Sequence, residues 1–355
     1  MFFSVPADFN VSTLEQLIAL EKKYPSNQVR EVFGNLSGSK WPSGHGFLKS
    51  QRYAESMEVL KRYVTVAANF GIEFNYTFNA GCLENSDILH DSLEEILKFI
   101  GELVSIGVNR ITIASPALMI AVHKRYPSLM ITASAITHVD SVLKAKWLEE
   151  LGVRTIVLDE DITRNIRRIN SIATHTDMDV EIIVNSKCTF NCLYRNFHYN
   201  SVCHDFPVGD RAVFSYGGSC AAFRHNNPVE LIKSLWIRPE DLEAYEKKGV
   251  TVFKIIGRER LSDIHLLKMV ETYFSRSYVG NLVDLIFGFA DTVKHIYIDN
   301  KKLDGFVDKF FNEDVDCLSQ CTTDKCIHCY EYLKKALVDT ENFKFGEGTA
   351  DGFNY

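Results

Sequence analysis

The stretch Leu93–Ser115, LEEILKFIGELVSIGVNRITIAS, contains the repeating unit that decides the fold. Its first part carries apolar residues at three- and four-residue spacing, which predicts an amphipathic helix over Leu93–Ile106. Gly107 stands before Val108, as expected where a helix ends on a glycine and the chain turns into a strand. The β-branched run Ile111–Ser115 follows. Helix, glycine and buried strand together are typical of repeated βα units.

The same succession recurs along most of the chain, at intervals of about 35–40 residues. Gly71 before Ile72 and Gly152 before Val153 repeat the glycine that ends a helix. Eight strands are predicted, at Phe2–Pro6, Val29–Leu36, Ile72–Asn79, Ile111–Ser115, Met130–Ile136, Thr155–Asp159, Val180–Asn185 and Val250–Ile256. Helices are predicted at Leu14–Tyr24, Ser56–Phe70, Leu93–Ile106, Val139–Leu151 and Asp161–Ala173, and after the last strand at Leu266–Arg276 and Leu282–Phe289.

Eight such units favour an α/β fold of the closed (β/α)8 TIM type. An open doubly wound sheet is disfavoured because no Gly-x-Gly-x-x-Gly fingerprint follows an early strand. We predict a barrel over residues 1–290 and a cysteine-rich tail over 291–355, whose polar end should fray. The barrel carries a cysteine-bearing insertion at about 186–249, after the seventh strand, where barrel enzymes place their active-site mouth.

The composition is that of a globular protein, with 46% hydrophobic and 24% charged residues among 355. A formal net charge of −7 argues against bulk binding of nucleic acid. No signal peptide is recognisable, and no run approaches the ~18 apolar residues of a membrane span. We therefore expect a cytoplasmic protein without a membrane partner. Its nine cysteines then point to metal or redox chemistry rather than to disulfides.

Two cysteines stand directly after the seventh predicted strand, in the segment NSKCTFNCLYRNFH over Asn185–His198. If the chain turns helical there, Cys188 and Cys192 share one face and can bind one metal centre. Four thiolates hold a [4Fe–4S] cluster, and thiolates also suit zinc. Arg195 occupies the position where the Cys-x₃-Cys-x₂-Cys pattern of radical-SAM enzymes has its third cysteine, so that class is disfavoured.

Three further cysteines are candidates for the remaining cluster ligands. Cys220, in a flexible Gly-Gly-Ser-Cys segment, is the preferred third ligand. Cys203 of the same insertion competes for the fourth position with Cys82, which follows the third strand. Each of the three could instead be a small buried side chain, since free cysteine is often buried.

The tail reads Cys317-x₃-Cys321-x₄-Cys326-x₂-Cys329, which is the most specific spacing in the chain. Four cysteines so close together predict a metal site that holds either zinc or a second cluster. Because it lies outside the barrel repeat, we expect it to serve structure or electron transfer rather than direct catalysis.

Arg195, His198 and Arg258 are the predicted catalytic residues, because they lie in the segments after the seventh and eighth strands. An arginine there could hold a carboxylate or phosphate, or could be salt-bridged. Asp159 and Glu160 end the sixth strand and are as well suited to capping a helix as to binding substrate. No Ser-His-Asp order, His-Glu-x-x-His helix or nucleophile elbow is recognisable, so no familiar hydrolase site is predicted.

Several segments resemble the collagenase-like peptidase family U32, and the match runs over most of the chain, from about Val5 to Leu285. They are Glu31–Gly34, Asn79–Leu83, Asn185–His198, Pro228–Asp241, Phe253–Arg258 and Tyr278–Asn281. The resemblance implies a barrel with a four-cysteine [4Fe–4S] cluster. It also implies oxygen-independent hydroxylation, which members perform on RNA bases or the ubiquinone ring, whereas other members carry a protease label. The first two cluster cysteines of the family commonly lie further apart than Cys188 and Cys192.

We therefore expect an iron–sulfur enzyme, an oxidoreductase or hydroxylase that modifies a small molecule, a peptide or an RNA base without molecular oxygen. Its substrate is unknown, and an electron donor or partner protein is expected to serve it. A U32-type protease or peptide-binding protein is the alternative. A non-catalytic metal-binding scaffold is the third hypothesis.

Overall fold

A computed structural model describes residues 1–44, 53–204, 215–257, 263–289, 296–321 and 326–338. Eight parallel strands form a closed barrel in chain order, and the eighth pairs with the first. They are β1 Phe2–Pro6, β2 Gln28–Gly34, β3 Glu73–Phe78, β4 Arg110–Ile113, β5 Met130–Ala133, β6 Val153–Val157, β7 Asp179–Ile183 and β8 Val252–Lys254. Each overlaps its predicted counterpart, so the predicted (β/α)8 TIM-type barrel is confirmed.

Six helices connect the first seven strands in turn. They are α1 Val11–Lys23, α2 Met57–Asn69, α3 His90–Ser105, α4 Pro116–Arg125, α5 Val142–Glu150 and α6 Ile166–Thr174. Three of the connections into a strand pass through a glycine with positive φ, namely Gly71 at 76°, Gly107 at 99° and Gly152 at 84°. Because this backbone region favours glycine, the predicted role of these three residues at helix ends is confirmed.

The segment between β7 and β8 contains several short helices in its described part. It contains α7 Arg195–Cys203, α8 Tyr216–Asn226, α9 Val229–Lys233 and α10 Leu242–Glu246. After the barrel closes, α11 Asp263–Phe274 and α12 Leu282–Phe287 follow and overlap the two helices predicted there. The enlarged loop of the sequence prediction is therefore a succession of short helices.

The tail contains β9 Tyr297–Ile298, α13 Asp308–Phe311, α14 Cys317–Gln320, α15 His328–Ala336 and β10 Leu337–Val338. The two strands pair antiparallel and bring the ends of the described tail together. Buried Arg238 donates to the Asn300 carbonyl at 3.0 Å and contacts Asp304 at 2.9 Å. The Phe306 ring packs on Trp236 with centroids 5.2 Å apart. The tail thus shares its core with the segment between β7 and β8; its predicted frayed end, 339–355, lies outside the described residues.

The barrel interior is polar at its centre. Glu31 on β2 accepts hydrogen bonds from Ser4 at 2.7 Å and from Asn75 at 2.9 Å, and its other oxygen lies 3.1 Å from Arg110. Arg110 also contacts Glu73 at 2.8 Å. The side chains of Arg110 and Glu31 are 1% and 3% exposed, so their charges must compensate each other inside the barrel.

A second ion pair fills the same interior between the last two strands. Lys254 on β8 donates to Glu181 on β7 at 2.7 Å, and both side chains are buried. Burial raises the pKa of Glu181, while Lys254 opposes the increase. No helix in the described ranges is long and apolar enough to cross a membrane.

The Arg110–Glu31 pair generates a stability prediction. Arg110→Met should lower the free energy of unfolding by about 3–5 kcal/mol, because it leaves the Glu31 carboxylate buried without its counter-charge. Urea denaturation of the purified chain measures this loss, and the double variant Glu31→Gln/Arg110→Met should recover part of it.

Arg125→Met is the matched control, because Arg125 is 48% exposed and pairs with Glu94 on the surface. Its cost should stay below about 1 kcal/mol. Equal losses in the two single variants would contradict a special role for the interior pair.

Candidate functional site at the barrel mouth

A histidine and a carboxylate meet where β5 and β6 end. His138 follows a short 3₁₀ turn after β5, with the left-handed backbone angles φ 51° and ψ 56°. Its Nδ1 lies 2.8 Å from Oδ2 of Asp159, which follows β6. Left-handed geometry is uncommon for a residue other than glycine, and where it occurs it often marks a functional site.

The second ring nitrogen of His138 is available. Nε2 is buried and has no hydrogen-bond partner among the described residues, although the side chain as a whole is 25% exposed. The hydrogen bond to Asp159 raises the pKa of His138 more than burial lowers it, and nearby Asn196 adds to the increase. Burial would raise the pKa of Asp159, but the contact with His138 and the Asp161 amide lower it overall. A carboxylate that orients an imidazole with a free nitrogen is the arrangement of a general base.

Arg195 lies on the other side of Asp159. Its Nη1 is 3.4 Å from Asp159 Oδ1 and 2.7 Å from Asp161 Oδ2, and its Nη2 donates to Asp161 Oδ1 at 2.8 Å. The side chain is 6% exposed, and its Nε has no hydrogen-bond partner among the described residues. Burial lowers the pKa of Arg195, but Glu160, Cys188 and Asp161 raise it overall, so the guanidinium stays charged.

Glu160 links the end of β6 to the segment after β7. It accepts hydrogen bonds from the Tyr199 hydroxyl at 2.8 Å and from the Ser186 hydroxyl. Ser186 in turn accepts from the Cys188 amide at 3.2 Å. Burial, followed by the charge of Glu160, raises the pKa of Cys188 to about 12. The Tyr199 ring lies 6.3 Å from the His138 ring, so this group adjoins the His138–Asp159 pair.

Cys188 and Cys220 lie close enough for the charge of one to raise the pKa of the other. The Cys220 sulfur accepts a hydrogen bond from Arg224 at 2.6 Å and lies 3.4 Å from the Thr189 hydroxyl. Cys192 is partly exposed, and its carbonyl accepts from the Arg195 amide at 3.2 Å. The preferred third cluster ligand is thus beside the first.

Cys203 and Cys82 form a separate pair. The Cys203 sulfur accepts from the Gly81 amide at 3.1 Å and donates to the Tyr199 carbonyl at 3.0 Å. Burial raises the pKa of Cys203, and the charge of Cys82 adds to the increase. The two competing candidates for the fourth ligand therefore lie together. In the described ranges, no three His, Cys, Asp or Glu side chains are arranged to hold a metal ion.

His198 and Arg258 are the other two predicted catalytic residues. The His198 ring stacks on Tyr216, with centroids 5.8 Å apart, and burial followed by nearby Lys187 lowers its pKa. Arg258 lies outside the described residues. Of the three predicted residues, Arg195 is the one that the described contacts place against the His138–Asp159 pair.

The four tail cysteines lie near one another. Burial raises the pKa of Cys317 to about 12 and that of Cys329 to about 11. The charges of Cys321 and Cys326 add to the increase in both pKa values. Burial and the charge of Cys326 also raise the pKa of Cys321, while Lys233 lowers it. In the described ranges these cysteines are not arranged to hold a metal ion, so the tail metal site remains a prediction.

The sequence prediction did not find His138, Asp161 or Tyr199. His138 could have been noticed, because it follows the Met130–Ile136 strand as other polar residues follow their strands. Asp161 and Tyr199 carry no comparable signal, since their importance lies in contacts with Arg195 and Glu160 that only the fold creates.

Comparison with known proteins bears on the family. A model described as peptidase family U32 matches residues 49–199. An uncharacterized protease of Methanocaldococcus jannaschii is 28% identical over 340 residues, which cover 94% of this chain and 98% of that protein. The chain is therefore similar to peptidase family U32 over residues 49–199. The resemblance seen in the sequence is confirmed, and the part of the chain that matches the U32 model contains His138, Asp159 and Arg195.

Solved structures with a similar architecture include the U32 peptidase Mk0906 and monomers of phosphoribosylanthranilate isomerase from Thermotoga maritima. The U32 peptidase is 18% identical with a TM-score of 0.49, and the alignment covers 72% of this chain and 93% of the other. The isomerase is 10% identical with a TM-score of 0.34, and the coverage is 78% and 98%.

The His138–Asp159 contact generates a titration prediction. Asp159→Asn should lower the pKa of His138, because the imidazolium loses the negative charge that favours it. A pH titration of the histidine ring resonances by NMR measures the change. Asp140→Asn removes the same charge near His138 but from a carboxylate that pairs with Lys144, and should leave the His138 titration close to wild type. An unchanged titration in Asp159→Asn would contradict the pairing.

Proposed function

We propose that this protein is a peptide hydrolase whose general base is His138. One observation carries the proposal: the two residues that flank Asp159 each keep a buried nitrogen without a hydrogen-bond partner among the described residues. These are Nε2 of His138 and Nε of Arg195. Buried polar atoms are normally hydrogen-bonded, and exceptions at a charged cluster are candidates for substrate contacts.

The two nitrogens suit the two requirements of amide hydrolysis. His138 Nε2, as the base, removes a proton from water, and the resulting hydroxide adds to the carbonyl carbon of the peptide. Arg195 Nε donates to the carbonyl oxygen as negative charge develops there. The tetrahedral intermediate then re-forms its carbonyl as the C–N bond breaks, and the protonated His138 gives its proton to the leaving amine. With water as the nucleophile, the reaction needs neither the Ser-His-Asp order nor the nucleophile elbow that the sequence analysis did not find.

The relatives support this assignment. The Methanocaldococcus jannaschii protein is described as an uncharacterized protease, and its match extends over nearly the whole of both chains. The raised pKa of His138 also suits a base, because catalysis is most efficient when the pKa of the base lies near the working pH.

His138→Gln should reduce peptide hydrolysis about 10²–10⁴-fold, because it removes the base and leaves the fold in place. Cleavage of a fluorogenic peptide library by the full chain measures the effect. His175→Gln, which changes an exposed histidine at the end of α6, is the control and should retain wild-type activity. Equal activity in the two variants would refute the role of His138.

The pH dependence provides an independent check. Only neutral His138 can accept a proton, so the rate should rise with pH through the pKa of His138. Asp159→Asn lowers that pKa and should move the acidic limb of the profile to lower pH while reducing the rate at the plateau. A limb that stays in place would assign the acidic limb to another group.

A second function rests on a different observation, the proximity of Cys188 and Cys220 beside the charged Arg195. These thiols, with Cys192 and either Cys203 or Cys82, would hold a [4Fe–4S] cluster. Cys188 and Cys220 fit that role. The Cys203–Cys82 pair fits it less well, because the Cys203 thiol already donates and accepts hydrogen bonds. When bound, the cluster would supply electron transfer for the oxygen-independent modification of a small molecule, a peptide or an RNA base, for example by hydroxylation.

Anaerobic purification tests this second function. A brown protein with about four iron atoms per chain, lost in Cys188→Ser and Cys220→Ser, would support it. Cys203→Ser and Cys82→Ser identify the fourth ligand by the same measurement. A colourless, iron-free protein that cleaves peptides would leave hydrolysis as the function.

A further inference from the structure

Arg164 is a buried cation without a described counter-ion. It is 5% exposed, and its guanidinium donates to three successive carbonyls at the end of α9, at 2.6 Å to Ile232, 3.1 Å to Lys233 and 2.6 Å to Ser234. It also faces the Phe306 ring at 4.9 Å. Within the described ranges no carboxylate forms a salt bridge with it. A buried charge is costly unless an opposite charge lies near it.

Two of the tail cysteines, Cys317 and Cys329, lie on the side of the fold that holds this cation. Cys317 and Arg164 line the same cavity of about 220 Å³, between the start of α6 and α14. Cys329 lies in the first turn of α15 and is buried, and its neighbour His328 stacks on Phe306, the ring that Arg164 also faces, with centroids 5.0 Å apart.

The four tail cysteines form two pairs whose members are close along the backbone. The Cys321 amide donates to the Cys317 carbonyl at 3.3 Å, so α14 places these two cysteines one turn apart. Cys326 and Cys329 are separated by two residues at the start of α15. Pairs of cysteines at such spacings, held by two adjacent short elements, are typical of structural zinc sites.

We propose that Cys317, Cys321, Cys326 and Cys329 bind one Zn²⁺ ion, and that Arg164 compensates part of the charge of the site. Four thiolates around Zn²⁺ leave two net negative charges, which is the counter-charge that buried Arg164 lacks. Among alternative ions, zinc suits this site best because its structural sites are closed, four-coordinate and sulfur-rich. The bound ion would fasten α14 and α15 to α6 and α9 and so hold the tail against the barrel.

Zinc binding would also change the protonation of the site. The sulfur atoms must approach the ion to about 2.3 Å and bind as thiolates, so each thiol loses its proton. In the described residues the side chains do not yet surround one centre. Metal binding would therefore draw the four sulfur atoms together and release protons to the solvent.

Metal analysis of the full chain, produced without a histidine tag in medium that contains zinc and iron, tests the proposal. We expect about one zinc per chain, lost in Cys317→Ser and Cys329→Ser. Cys82→Ser and Cys203→Ser are matched controls and should keep the zinc. After removal of the metal by a chelator, added Co²⁺ should give the intense visible absorption of a tetrahedral thiolate site in the wild-type chain.

Arg164→Gln tests the charge partner and should weaken zinc affinity about 10–100-fold, as changes next to metal ligands do. Arg167→Gln is its control, because Arg167 lines the same cavity but is 76% exposed and pairs with Glu313. Wild-type chain without zinc and without a Co²⁺ spectrum would overturn the proposal, as would iron in place of zinc at these cysteines. Because wild-type metal content decides the matter, misfolding of a serine variant does not obscure it, and the result is independent of peptide hydrolysis.

Discussion

The ion pair between Arg195 and Asp161 is the interaction on which the arrangement of the mouth depends. Both terminal nitrogens of the guanidinium contact this carboxylate, which also accepts from the Asn191 amide at 2.7 Å. Asp161 follows β6, whereas Asn191 and Arg195 follow β7, so one carboxylate fastens the two segments together. Burial raises the pKa of Asp161 even though Arg195 lowers it. The two side chains are 19% and 6% exposed, so solvent screens the pair less than it would screen a surface pair.

The barrel could be predicted because its repeat is local. A helix that ends on glycine and a short apolar strand leave a signal in about 35–40 residues, and eight such signals specify closure. The helices between β7 and β8 left no such signal. α9 and α10 have five residues each, too few for an apolar period, and α8 begins with a Gly-Gly pair that disfavours helix. These helices are stabilised by tertiary contacts.

The site was predicted only in part, for the same reason. Arg195 and the cysteines drew attention by residue type and by their place after a strand. Residue type and position could not identify His138 as the partner of Asp159. The two residues are distant in sequence, and only the pairing of β5 with β6 brings them into contact. The grouping of Cys188 with Cys220 and of Cys203 with Cys82 likewise depends on how α7 and α8 pack, which spacing does not specify.

The pairing of β1 with β8 has a consequence for the order of events during synthesis. Phe2 pairs with Val252, so β1 cannot pair with its second neighbour until the chain that separates them has been made. Until then one edge of the sheet stays open and can associate with other chains. The His138–Asp159 pair can form earlier, because β5 and β6 are already neighbours. Closure of the barrel therefore depends on the late arrival of a last strand that has only three residues.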